Sequence, residues 1–245
     1  MNAFLNHLWI QFKMDIREKG TLLTYYLVPL VFYLVIGAVF SSVNPASKQT
    51  MTATMPIFAI TMGAVLGMPA PIVKMREAGV LRAYRVSGIP GSAVLLIHSV
   101  SAFLHLLVVT VIIFVTAPLL YGADIPKNPA AFFLVLLVLM FASIALGLLI
   151  GVSARSQSVA TMLSQAVFLP TVMLGGIMFP ASMLPEPLRI LAYVLPSTHA
   201  MHSFTSLAYG LPSEAGPVLS MLVMGGIGGL AACLAAVKFK ASMKS

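Results

Sequence analysis

Six intervals of this sequence run long enough without a charged residue to cross a lipid bilayer, and that feature decides the class of fold. The charge-free intervals are 20–47, 49–73, 86–123, 128–154, 156–185, 190–213 and 215–237. A spanning helix needs about 20 predominantly apolar residues. Interval 190–213 is the exception, because it carries Pro196, Ser197, Thr198, His199, His202, Ser203, Thr205, Ser206 and Pro212 and is too polar to cross lipid unaided. The others predict spans at 22–42, 52–72, 93–119, 131–152, 159–179 and 217–237. The chain is 60% hydrophobic and 8% charged, whereas soluble domains are about 25% charged. The expected fold is therefore an all-α integral membrane protein, a single transmembrane domain over 1–245.

Lysine and arginine set the expected orientation. With both termini inside, Lys13, Arg17, Lys19, Lys74, Arg76, Arg82, Arg85, Arg155, Lys238, Lys240 and Lys244 fall on the inner face, and Lys48, Lys127 and Arg189 on the outer. The acids divide evenly: Asp15, Glu18 and Glu77 inside, Asp124, Glu186 and Glu214 outside. The whole net charge of +8 thus belongs to the inner face, where it suits anionic membrane lipids and gives no reason to invoke nucleic acid. The lone Cys233 lies in an apolar run and can form neither an internal disulfide nor a cysteine metal cluster. The first apolar run follows a mixed-charge segment and has no small-residue cleavage site after it, so it is expected to be retained as the first span.

Two segments do not span. In FLNHLWIQFKMDIREKG (4–20), Phe4, Leu5, Leu8, Trp9, Phe12 and Ile16 recur at helical spacing, while Lys13, Asp15, Arg17 and Glu18 fall mostly off that stripe. Residues 1–20 read as an interfacial helix with Trp9 at headgroup depth beside Phe12 and Lys13, or as a short helix packed on the protein. Between 180 and 213, Pro180, Pro185, Pro187 and Pro196 cut the chain into short pieces. These are either paired short helices that dip into the outer leaflet against protein or an ordinary outer loop.

The absence of several motifs narrows function. No G-x-x-x-x-G-K-[ST] phosphate loop occurs. GGIGG (225–229) lacks the lysine and sits in a span, where glycine lets helices approach closely. Gly63/Gly67 and Gly147/Gly151 repeat the small-x-x-x-small spacing, which serves helix packing or a dimer face. None of the acids lies in a predicted span, which disfavours ion-coupled transport. Ser153, in GVSA, is the one candidate nucleophile in a G-x-S context, and span 6 has no histidine to act as its base. No catalytic, cofactor-binding or metal-binding residue is assigned. His98, Ser101 and His105 share a face of span 3, and Ser158, Thr161 and Gln165 a face of span 5; these stripes line a pathway or bond between helices.

Charge concentrates instead in VKMREAGVLRAYRVSGIP (73–90), with Lys74, Arg76, Glu77, Arg82 and Arg85. Gly79 breaks the preceding helix. VLRAYRV then predicts a short helix with Val80, Leu81 and Tyr84 on one face and Arg82 and Arg85 on another, ended by Gly88 and Pro90. A positive-inside topology loop accounts for the basic residues. A docking element for a soluble partner also accounts for the lone acid, the glycine break and the amphipathic turn.

REAGVLRAYRVSGIP resembles the R-E-x-G-T-L-x-x-L-x-x-x-P-type loop after the second span of ABC-2-type transporter permeases. Arg76, Glu77, Gly79 and Leu81 match directly, whereas Val80, Tyr84 and Gly88 replace the usual Thr, Leu and Pro. GIMFPASMLPEPLRILAYVLP (176–196) resembles the family's segment before the last span, and the resemblance covers essentially the whole chain. It implies a half-transporter of a bacterial inner membrane, paired with a second permease subunit, identical or homologous. A separate ATP-binding cassette subunit would bind ATP and Mg²⁺, so this chain would not itself be an enzyme. The resemblance assigns ATPase coupling to Arg76, Glu77, Gly79, Leu81, Arg82, Tyr84 and Arg85 in a cytoplasmic loop at 74–91, assisted by the interfacial helix. It makes 180–213 the outer gate. The expected cargo is amphipathic: an antibiotic, drug or lipid-like molecule. A polysaccharide or lipid-linked glycan export permease, and a non-transport scaffold or immunity component of the same fold, are the alternatives.

Overall fold

Lipid leaves no water to satisfy a backbone, so each apolar run must close its own hydrogen bonds as helix. The computed structural model describes residues 3–43, 45–178 and 183–242, and contains helices and no strand among them. An amphipathic helix, α1 (Ala3–Arg17), leads into the first span, α2 (Lys19–Val43). The second span is α3 (Met51–Glu77), followed by a short helix α4 (Val80–Val86). Spans three to five are α5 (Gly91–Tyr121), α6 (Pro129–Ser153) and α7 (Gln157–Leu174). Two short helices, α8 (Glu186–Ala192) and α9 (Pro196–Ser203), precede the sixth span, α10 (Pro217–Ser242).

Local chemistry marks the ends. Asn128 and Ser156 cap α6 and α7 by accepting hydrogen bonds from the Ala131 and Val159 backbone N–H groups. Span α3 runs on to Glu77, so Lys74, Arg76 and Glu77 occupy its last turns and the loop proper begins at Ala78. Gly79 (φ 71°) and Gly88 (φ 72°) hold the left-handed conformation at either end of α4. Span α7 stops at Leu174, short of the predicted 179, because Gly175 follows and Gly176 turns left-handed at φ 78°. The expectation placed on Pro180 lies outside the described residues.

Two spans form the centre. The most apolar stretch of α3 is 78% buried and that of α6 61%, against 22–33% for α2, α5, α7 and α10. The flanking spans therefore present long apolar faces outward, which only lipid or another membrane subunit can cover. Close approach of α3 and α6 depends on glycine. A Cβ on Gly147 would overlap the Ala64 carbonyl oxygen, and one on Gly151 would meet Pro69 and Ile72. Gly63 and Gly67 sit under the ring of buried Tyr25, whose Cδ1 and Cε2 would stand 3.0 and 2.9 Å from added Cβ atoms. Gly228 abuts the Ala142 backbone, whereas Gly226 and Gly229 face open space. Both glycine pairs thus serve packing within one protomer.

The polar interval 190–213 avoids lipid by turning inward. Helix α9 is buried against α3, α6 and α10, and α8 lies on α7. Both short helices sit at the end of the bundle opposite the termini.

Candidate functional site

The end that carries the termini brings α1, α4 and the last turns of α3 together. Helix α1 divides its residues by face. Phe4, Leu5, Trp9, Ile10, Met14 and Ile16 are exposed, as an interfacial helix requires. Trp9 stacks on Phe12 with centroids 6.4 Å apart, and the Lys13 ammonium stands 4.8 Å over the indole. Gln11, Phe12 and Asp15 turn the other way, onto α5.

Asp15 is the centre of that contact. Ser101 donates to its Oδ2 at 2.6 Å, and Gln11 donates to its Oδ1 at 2.8 Å. His105 Nε2 stands 3.6 Å from the same Oδ2, a long contact, outside the ordinary hydrogen-bond distance but close enough to favour the carboxylate electrostatically. The opposite ring nitrogen, Nδ1, lies 2.6 Å from the Tyr26 hydroxyl of α2. Phe12 stacks on the His105 ring at 4.5 Å, and Tyr25 closes another side at 5.3 Å. One fully buried imidazole thus joins α1, α2 and α5. Burial opposes charge on Asp15, but His105, Ser101 and Gln11 outweigh it and hold the carboxyl below its ordinary 3.8.

Helix α4 hangs from the same framework. Leu81 is buried, and the Tyr84 hydroxyl meets His7 Nε2 of α1 at 3.2 Å. Arg82 is exposed, and nothing is described of the Arg85 side chain. Arg76 turns inward instead. Its guanidinium donates to the Val152 and Ala154 carbonyls at the C-terminus of α6, where a cation is favoured by the helix dipole. Glu77 is exposed and accepts a long bond from Gln157 at 3.4 Å. Between α1, α4, α3 and α5 lies a cavity of about 550 Å³ bordered by His7, Asp15, Glu18, Lys74, Tyr84 and His98.

At the opposite end a cavity of about 260 Å³ is bordered by Thr50, Thr198, His202, Ser213 and Glu214. His202 Nδ1 meets the Ser213 hydroxyl at 2.9 Å, and Tyr193 stacks on the ring at 5.9 Å. Burial keeps this histidine below its ordinary 6.5 despite Glu214. Pro185, Pro187 and Pro196 stand at the starts of α8 and α9, where a missing N–H costs nothing.

A family model described as ABC-2 type transporter matches residues 2–209. The chain belongs to the ABC-2 type transporter family. ABC transporter G family member 20 of Dictyostelium discoideum is 31% identical over 130 residues, which is 52% of this chain and 18% of that protein. A Bacillus subtilis (strain 168) protein named as a transport permease, YvfS, is 23% identical over 209 residues, or 81% of this chain and 82% of that protein. The chain therefore spans less than a fifth of the first relative and most of the second. It is a multi-pass, permease-like membrane protein, and permeases of this family carry no ATPase site of their own.

For an ABC-2 type chain, the polar residues singled out in the sequence divide cleanly. His98 borders the cavity of about 550 Å³, and Ser101 and His105 bond between helices. His98 Nδ1 faces the Val94 carbonyl at 3.1 Å, and the other two hold α1 and α2. Ser158, Thr161 and Gln165 are exposed on α7, and Thr161 donates to the Gln157 carbonyl within its own helix. Asp15, Gln11 and Tyr26 are not among the residues the sequence predicts for a site. The spacing carried a signal: Gln11/Asp15 and Ser101/His105 are two polar pairs four residues apart, each presenting both members on one helix face.

The lowered acidity of Asp15 has a measurable consequence. A carboxyl depressed in the folded state stabilises the fold above its unfolded pKa and loses that contribution as pH falls through the folded value. The wild type should therefore melt higher than Asp15→Asn from neutral pH down to about 4, and the two curves should converge below that. A difference that is flat from pH 7 to 3, measured by thermal unfolding in detergent, would contradict the ionised carboxylate.

Proposed function

We propose that this chain is the permease subunit of an ATP-driven exporter in a bacterial inner membrane. It would receive work from a nucleotide-binding subunit docked beneath α1 and α4. One observation carries the reading beyond family membership. Helix α4 lies outside the spans between two left-handed glycines, anchored through Leu81 and Tyr84, and it leaves Arg82 exposed. A short helix held rigidly on its inner side and charged on its outer side is suited to receive a soluble partner. ATP and Mg²⁺ would be bound by that partner.

The exposed stripe of Ser158, Thr161 and Gln165 supports pairing with a second permease subunit, identical or homologous. Polar side chains in a span are disfavoured against lipid and usually face a bundle interior or an aqueous path. The predominantly apolar outer surface and the cavity beside α9, which sets Thr198, His202 and Glu214 among apolar groups such as Met201 and Pro212, suit an amphipathic cargo such as an antibiotic, drug or lipid-like molecule. The skewed lysine and arginine distribution supports a cytoplasmic location for the end that carries the termini.

Orientation is testable in a Cys233→Ser background. In intact cells, a membrane-impermeant maleimide should label Lys48→Cys and Lys127→Cys but reach Arg82→Cys only after the membrane is opened. Labelling of Arg82→Cys in intact cells would invert the topology and remove the docking surface from ATP.

A further inference from the structure

Helix α1 rests on the spans through a contact that is half made. Asp15 is bonded to Ser101 and Gln11, yet it stands 3.6 Å from His105 Nε2, about 0.4 Å beyond the ordinary hydrogen-bond range. His105 Nε2 is buried and has no hydrogen-bond partner among the described residues. The Tyr26 oxygen and Nδ1 are 2.6 Å apart, and in the tautomer where the Tyr26 hydroxyl donates, the ring proton sits on Nε2, facing Asp15. A buried N–H left without an acceptor is unfavourable. A small inward movement of α1 removes that penalty and leaves the Ser101 bond in place. The imidazole is stacked on Phe12 of α1 and bonded to Tyr26 of α2, so such a movement engages α1, α2 and α5 together.

We propose that Asp15 and His105 are positioning residues for coupling: a joint through which inward movement of α1 is passed to the first and third spans. This inference rests on the export reading above. Docking and ATP-driven closure of the partner subunit press α1 inward, the Asp15–His105 bond forms, and α2 and α5 follow as one body. The arrangement calls for an acceptor at position 15 and a donor ring at 105. An amide oxygen meets the first requirement and a methyl does not.

The test uses the permease bound to its nucleotide-binding subunit in lipid vesicles, with the substitutions Cys233→Ser and Met173→Cys, the second supplying a reporter thiol. Met173 is exposed at the far end of α7. The readouts are co-purification of the ATPase and the change in maleimide labelling at position 173 when ATP is trapped with vanadate. With the joint intact, labelling responds to nucleotide. Asp15→Ala and His105→Phe should still capture the ATPase but show no nucleotide response, whereas Asp15→Asn should restore it. His105→Phe keeps the ring stack and carries the test if Asp15→Ala fails to fold. A normal nucleotide response in either disabling variant overturns the joint. Loss of ATPase capture in both also overturns it, because the residues then serve docking. If the parent captures no ATPase, the export reading fails, and the joint fails with it.

Discussion

Gly147→Val should leave no monodisperse folded protein on detergent extraction. Gly147 sits where α6 crosses α3, the two most buried spans. Its missing side chain is the space in which the Ala64 carbonyl lies, with the Met68 Cβ 3.2 Å from the position a Cβ would take. A side chain there strikes backbone, which cannot rotate away as a flexible side chain could. The helices must separate, and the core that includes Ile60, Ala64, Met68, Leu136, Leu139 and Met140 opens with them. Overpacking a close-packed interior costs about 1–3 kcal/mol, and a clash with backbone lies at or above the upper end. Total stabilities are about 5–15 kcal/mol, so the loss is a large fraction of the whole. Gly229→Val is the control. It has nothing within 4 Å of its Cβ position, and should extract and elute like the parent. Equal behaviour of the two variants in size-exclusion chromatography would show that α3 and α6 do not cross at Gly147.

Arg82→Glu should abolish capture of the nucleotide-binding subunit while the permease itself remains folded. Arg82 is exposed on α4 and makes no described contact that holds the helix in place; Leu81 and Tyr84 do that. Reversing a charge on an otherwise unchanged surface replaces attraction by repulsion, and like-charge juxtaposition across an interface costs several kcal/mol. At 1.4 kcal/mol per tenfold change in affinity, that amounts to roughly 100-fold or more. Arg76 provides the contrast. Its guanidinium holds the carbonyls at the end of α6, so Arg76→Ala should lower thermal stability as well as capture. Arg82→Glu should lower capture alone.

The spans were legible because lipid imposes one solution on an apolar run. The breaks at Gly79 and Gly88 were legible because a charged, glycine-bounded segment has few conformations open to it. The inward turn of Asp15 was not. Phe4, Leu5, Trp9 and Ile16 form a lipid-facing stripe, and a charge off such a stripe is expected to face water. The socket that receives Asp15 lies on another helix, Ser101 being 86 positions away, and no local pattern joins the two. Arg76 shows a related limit. Its place in a basic loop motif suggested an outward role, and only the packing of α6 beside α3 reveals the carbonyls it reaches. The glycine pairs gave the spacing of close approach but not the partner, which proved to be within the protomer.

The central claim is that this chain takes up work from an ATPase it does not contain. The most direct measurement is the rate of ATP hydrolysis by the nucleotide-binding subunit in lipid vesicles, with the permease and without it, as amphipathic compounds are added. The account predicts a rate that depends on the permease and responds to a transported compound, and that loses both dependences with Arg82→Glu. A rate that is the same with and without the permease, whatever compound is present, would contradict it.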